Sequence, residues 1–268
     1  MRADRRTAIP QITITIVLMV LAATLCVSGC SRKLETRYDD GQLKEKYGVK
    51  KDASGNFIKH GSYASWYEDG KQKQQGNYKD DKRDGKNTFW YENGSKESEG
   101  VYQDDKKTGV WIEWHDNGQK KSEGVYQDDK RNGTWTDWYE NGGKKSESVF
   151  KDNLKSGKSA SWYANGKKKN EGLLENSRQT GKWECWYENG AKYWEGEFKD
   201  GKENGFFTYW YENGAKASEG EYLNGKKNGK HTTWHDNGQK KTEGEYKDGQ
   251  RVGEWLSWDQ QGNLIQTK

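Results

Sequence analysis

The sequence predicts an all-β protein, an elongated, single-layer, twisted antiparallel sheet of tandem 24-residue β-hairpin repeats. Three observations predict it. Trp recurs at 66, 90, 114, 138, 162, 186, 210, 234 and 258, always 24 residues from the last. A Gly follows each Trp four residues on, so Trp90-Tyr91-Glu92-Asn93-Gly94 returns, intact or degenerate, along the chain. The single Pro of the 268 residues is Pro10, which leaves every repeat strand able to donate to its neighbours. A fixed period of this kind marks a repeat architecture.

Counted from the leading Trp as position 1, the unit reads approximately W-Y-E-N-G-x-K-K-S-E-G-E-Y-K-D-x-K-x-N-G-K-W-T-x. The E-N-G segment predicts one tight turn, because Asn and Gly tolerate positive φ. The K-D-x-K-x-N-G segment predicts a second, longer one. Two short strands lie between them, over positions 21 to 2 and positions 7 to 13. In the first, the leading Trp shares a face with position 23, and position 22 shares the opposite face with position 2. Position 22 reads Tyr63, Asn87, Trp111, Trp135, Ser159, Trp183, Phe207, His231 and Trp255, and position 2 is mostly Tyr. The second strand carries Gly at position 11, broken only by Ser148, and an aromatic at position 13, with Leu174 the exception.

An isolated hairpin buries too little to offset its chain entropy, so stability is expected from interfaces between successive units. About twenty strands at ~4.8 Å spacing make a ribbon on the order of 90 Å long. At the ends, Arg37-Tyr38-Asp39-Asp40-Gly41 reads as a degenerate first copy, with a five-residue insertion near Lys51 to Asn56. The last copy is truncated after the apolar pair Leu264-Ile265, and both ends read as caps.

Composition supports an aromatic core. The chain is 33% charged and only 29% hydrophobic, a balance that leans toward disorder, yet it holds 14 Trp and 16 Tyr, nearly all in register. The formal net charge of +4 is no footprint for nucleic acid, which calls for a concentrated basic face. Lys and Glu are interleaved within each repeat, which predicts cross-strand charge pairs on a solvated face.

Residues 1–29 differ from everything after them. Arg2, Arg5 and Arg6 precede an apolar run from Ile12 to Val27, too short for the roughly 20 residues of a membrane-spanning helix and flanked like a secretory signal peptide. Val27-Ser28-Gly29-Cys30 resembles the lipobox of bacterial lipoproteins. That resemblance implies cleavage between Gly29 and Cys30, lipid (palmitate included) on Cys30, and residues 30–36 as a short tether. Ser31, by the same family's sorting habit, implies the outer membrane where the cell has one. With Cys26 removed and Cys30 lipidated, Cys185 stands alone and no intramolecular disulfide is available.

The segments Gly220-Glu221-Tyr222-Leu223-Asn224-Gly225-Lys226-Lys227-Asn228-Gly229 and Gly244-Glu245-Tyr246-Lys247-Asp248-Gly249 resemble MORN repeats. With W-Y-E-N-G included they are closer to the bacterial variant of that repeat, found in antitoxin-like repeat proteins, and the resemblance covers residues 37–268. It implies a single-layer sheet of hairpins without enzymatic activity. The chain departs from the eukaryotic repeat at position 22, where a bulky residue replaces the usual Gly.

No phosphate loop, nucleophile elbow or HExxH motif is present. His231 and His235 share a strand face about 13 Å apart, too far for one metal, and stand where other repeats carry aromatics. No cofactor, metal or catalytic residue is expected. The leading expectation is a non-enzymatic, lipid-anchored scaffold of the cell envelope that binds a protein partner. A carbohydrate- or peptidoglycan-binding lipoprotein and an antitoxin or immunity-like protein are the alternatives. The leading Trp row is expected to be core, and the wetter face of positions 22 and 2 supplies the candidate binding residues: Tyr91, Trp111, Trp135, Tyr139, Trp183, Tyr187, Tyr211 and Trp255. Because stable anchoring takes more than one acyl chain, Cys30→Ser is expected to abolish palmitate incorporation and shift the protein from the detergent to the aqueous phase on partitioning.

Overall fold

The computed structural model describes residues 32–267. The signal segment, Gly29 and Cys30 lie outside the described residues. Within them the chain forms one open antiparallel sheet of 22 strands and no helix. Strands pair in chain order, hairpin upon hairpin. The first, Arg32–Arg37, bonds only to Leu43–Lys51, and the last, Leu264–Thr267, only to Gln250–Trp258, so the sheet does not close into a barrel.

One hairpin shows how the sequence produces the rest. Its return strand, Lys96–Gln103, runs into Asp104-Asp105, both at positive φ (50° and 67°), and the chain re-enters the sheet at Lys106. Positive φ at both central residues defines the two-residue turn that matches strand twist, and Asp-Asp, Asp-Asn, Asn-Ser, Asp-Gly or Asn-Gly fills it in successive copies. The expected long turn is therefore a two-residue one, and the leading strand is longer than predicted, Lys106–Trp114. The Gly at position 20 is not in the turn. Gly109, at φ +66°, sits in a bulge where Glu99 still faces Ile112 but Val101 faces Thr108. Gly tolerates that backbone where a side chain would strain it.

The bulge lays the position-22 side chain flat along the neighbouring strand. A Cβ added to Gly100 would lie 2.2 Å from the Trp111 ring, and one on Gly124 the same distance from Trp135. The same overlap holds for Gly172 with Trp183, Gly196 with Phe207, Gly220 with His231 and Gly244 with Trp255. Each glycine is thus the floor on which a ring lies. The indole Nε1 of Trp111, Trp135 and Trp183 donates to the carbonyl of Val101, Val125 and Leu173 at 3.1, 3.1 and 2.8 Å. Position-13 rings fill the gaps: Tyr102 meets Trp111, and Tyr126 meets Trp135, edge to face at 4.9 Å. The one copy without the glycine also lacks the ring. Ser148 faces Ser159, and their hydroxyls are 2.8 Å apart.

This reverses the expected burial. Position 22 is the core row, with Trp111 and Trp135 each only 1% exposed, whereas every leading Trp is half-buried. A glycine floor removes the whole ring from water, while the leading Trp, at the strand end, is covered on one side only. The ends differ from expectation too, for Leu264 and Ile265 are exposed. Tyr38 to Gly41 forms the same turn as the later copies, and Tyr38 Oη reaches the Trp66 carbonyl at 2.8 Å.

Gly124→Ser is expected to destabilise by about 1–3 kcal/mol through overpacking against Trp135. Adding Trp135→Ser, which reproduces the Ser148–Ser159 pair, should restore part of that loss. A double-mutant cycle from urea melts measures the coupling.

Candidate interaction surface

The eight aromatics expected to form a binding face divide into two groups. Trp111, Trp135, Trp183 and Trp255 are the buried position-22 rings and offer no ring face to a ligand. Tyr91, Tyr139, Tyr187 and Tyr211 lie beyond the strand ends and are half-buried. Their hydroxyls donate to the carbonyl of the next leading Trp, at 114, 162, 210 and 234, each at 2.8 Å. They staple one repeat to the next. The Asn of the same turn adds a second staple, as Asn93 Nδ2 donates to the Asp116 carbonyl at 2.9 Å.

The histidines follow these roles. His115 and His235 take the place of the stapling Tyr, with Nε2 3.0 and 3.1 Å from the carbonyls of Trp138 and Trp258. His231 takes the place of a core Trp, 5% exposed, with Nε2–H donating to the Glu221 carbonyl at 2.7 Å. Among the described residues no group of three His, Cys, Asp or Glu is placed to hold a metal ion. Cys185 is half-buried, and burial raises its thiol pKa. A raised pKa keeps a thiol in its unreactive form.

The opposite side of the sheet, the open face, carries positions 1, 10, 12, 21 and 23. Its regular element is a Trp–Lys–Glu unit shared between copies. Lys96 Nζ lies 4.8 Å from the centroid of Trp114 and 2.9 Å from Glu99, and Lys120 stands likewise on Trp138 and Glu123. These ion pairs run three residues along one strand, and only some Lys, such as Lys86 on Glu99 and Lys182 on Glu195, reach across strands as expected. The Lys96 hydrogen bond holds the Glu99 carboxyl below its usual pKa, and Lys192 and Lys240 do the same for Glu195 and Glu243.

Between these rows lies a feature that sequence reasoning missed. Positions 21 and 12 face each other across strands. In three copies both members are polar or charged: Ser62 with Asn77, Lys182 with Glu197 and Lys230 with Glu245. In the middle of the chain one or both members are apolar: Val110 faces Val125, Thr134 faces Val149, and on either side Val101 faces Lys86 and Leu173 faces Lys158. Val101, Val110, Val125 and Leu173 are 39%, 53%, 40% and 43% exposed. A groove of about 640 Å³ opens along this row, between Thr134, Val149, Ala160, Trp162 and Leu173. The signal was available as a run of Val at position 12 in consecutive copies, but Val in a strand reads equally well as core.

Residues 59–80, 83–104, 107–128, 131–152 and 227–248 match the family described as MORN repeat variant. No curated protein matches the chain. Among solved structures, the crystal structure of TcdB2-TccC3 is similar over 88% of this chain and 17% of that one, at 9% identity and a TM-score of 0.18. The crystal structure of TcdB2-TccC3-Cdc42 is similar over 88% of this chain and 18% of that one, at 8% identity and a TM-score of 0.14. The chain spans less than a fifth of either, and at these scores the likeness carries no argument.

Burial lowers the pKa of His231. The unfolded chain then takes up the proton first, so this contribution to stability is full above the unfolded value of about 6.5 and declines as pH falls below it. His231→Trp, which installs the commoner residue of the row, is expected to reduce the loss of urea stability on acidification from about pH 7.5 to about pH 5.5.

Proposed function

We propose that the chain is a non-enzymatic scaffold of the cell envelope, anchored by lipid on Cys30, that binds a protein partner along its open face. The observation that carries the reading is the row of Val101, Val110, Val125 and Leu173, all exposed, with the half-buried Val149 among them. The row crosses seven strands, from Lys96–Gln103 to Lys168–Glu175, with Val or Leu on five of them and Thr134 and Lys158 on the other two, and spans roughly 30 Å at ~4.8 Å per strand. Exposed apolar side chains gathered on one face of a protein mark an interaction site. The non-enzymatic part is supported by the carboxylates, which recur with the period, and by the lysines that hold Glu99, Glu195 and Glu243 in their ionised form. A general acid needs the opposite. The lipid anchor is supported by the Arg-rich start, the short apolar run and Ser28-Gly29-Cys30, and the outer membrane by Ser31 where the cell has one. A bacterial, antitoxin- or immunity-like affiliation narrows the same reading, with an incoming envelope toxin as the protein partner.

The test compares the full-length protein with Val110→Glu/Val125→Glu in recovery from solubilised envelope. The intact protein is expected to retain a specific partner, and the variant to lose it at unchanged far-ultraviolet circular dichroism. Recovery of no specific protein, or equal recovery by the variant, would overturn the reading.

A further inference from the structure

The glutamate row of the open face is broken at its N-terminal end. Position 10 is Glu in seven consecutive copies, from Glu99 to Glu243, but it is Lys46 in the first copy and Gln75 in the second. The register brings these two together, because both face Ala64, one from each side. Lys33 and Lys86, at position 21, flank the pair. Lys33 faces Gly48, which leaves its cross-strand place without a side chain.

A groove of about 440 Å³ opens between these residues. Lys33, Lys46 and Lys86 line it together with Ser62, Gln75 and Asn77, and among the described residues no Asp or Glu does. The same positions bring Glu147, Glu171 and a single cation, Lys158, to the valine groove. Neighbouring carboxylates do not cancel the charge. Lys46 Nζ reaches Glu35 at 2.8 Å and Lys86 Nζ reaches Glu99 at 3.4 Å. Glu35 also has Arg37 at 3.3 Å, however, and Glu99 has Lys96 at 2.9 Å. With Lys33, five cations share two carboxylates, a surplus of three positive charges about the groove. A cleft lined by one sign of charge concentrates ions of the other.

We infer that this groove binds a phosphate group, its charge met by the ammonium groups of Lys33, Lys46 and Lys86 and its oxygens by the donors of Ser62, Gln75 and Asn77. Hydrogen bonds from charged donors to an oxyanion are the strong ones. A surplus of three charges suits a phosphate better than the single charge of a carboxylate. Two sources carry that group, a free phosphate ester and the headgroup of a phospholipid. The site stands whether or not Cys30 carries lipid.

Calorimetric titration of the full chain at low salt, with glycerol phosphate as a monoester and glycerophosphoglycerol as a lipid headgroup, tests the inference. Both probes are soluble, so the outcome does not depend on the anchor. Saturable binding is expected, weakened at least ten-fold in Gln75→Glu and in Lys33→Gln/Lys86→Gln. Gln75→Glu restores the residue of the later copies, where Glu147 likewise faces an alanine, Ala160. Its circular dichroism and melting temperature should therefore match those of the unaltered protein. A stronger response to the monoester assigns the ligand to a free ester, and a stronger response to the diester to a lipid headgroup. No saturable response to either probe, or undiminished binding by either variant, would overturn the inference.

Discussion

A ring lying on a glycine is the contact on which this sheet depends. A single-layer sheet has no second layer to pack against, so it must find its burial within its own thickness. Gly100 and Gly124 provide it by having no Cβ, which lets Trp111 and Trp135 lie against bare backbone and join Phe207 and Asn87 as the largest fully buried side chains among the described residues. The low aliphatic content follows, since a flat ring covers a strand as a branched side chain does not. The bulge at Gly109 and its equivalents follows as well, because an unbroken strand would not lay the ring over that glycine. Ser148 and Ser159 show the constraint from the other side, for where the glycine is lost the ring is lost with it.

Polar staples then turn a pile of hairpins into a continuous sheet. The stapling Tyr and Asn reach forward to carbonyls of the next copy. The Asp of the two-residue turn reaches back, as Asp105 and Asp129 accept from the backbone N–H of Arg83 and Lys107 at 2.9 and 2.8 Å. Neither the rings nor the staples extend beyond the adjacent copy. Stability in such an array is a sum of neighbour terms, and damage stays local.

Much of this was legible in the sequence. Period, hairpins and the E-N-G turn are carried by Trp, Gly and Asn-Gly at fixed spacing, and local chemistry decides them, whereas the second turn is shorter than its sequence suggests. Which face is core was not legible. Trp111 and Trp114 have the same chemistry and opposite parity, and their burial is decided by whether a glycine lies opposite. The Gly at position 20 misled for a related reason. A positive-φ Gly serves a turn and a bulge equally well, and only the cross-strand register, Val101 on Thr108, separates them. The valine row was hidden because alternation in a strand cannot say which side is covered when both sides carry aromatics.

That division of labour also indicates where specificity is to be sought. Rings, glycines and staples must repeat, since each is half of a contact with the next copy. Side chains at positions 12 and 21 contact one another only across a strand pair on the wet side, so they vary without cost to the stack. They do vary, from Ser62–Asn77 through Val110–Val125 to Lys230–Glu245. Position 10, on the same face, varies as well, from Lys46 and Gln75 in the first two copies to Glu in the seven that follow. A departure that leaves the core intact while exchanging a negative for a positive group alters what the surface attracts and little else. The repeat therefore fixes the scaffold, and the few positions it does not need are free to define what the scaffold binds.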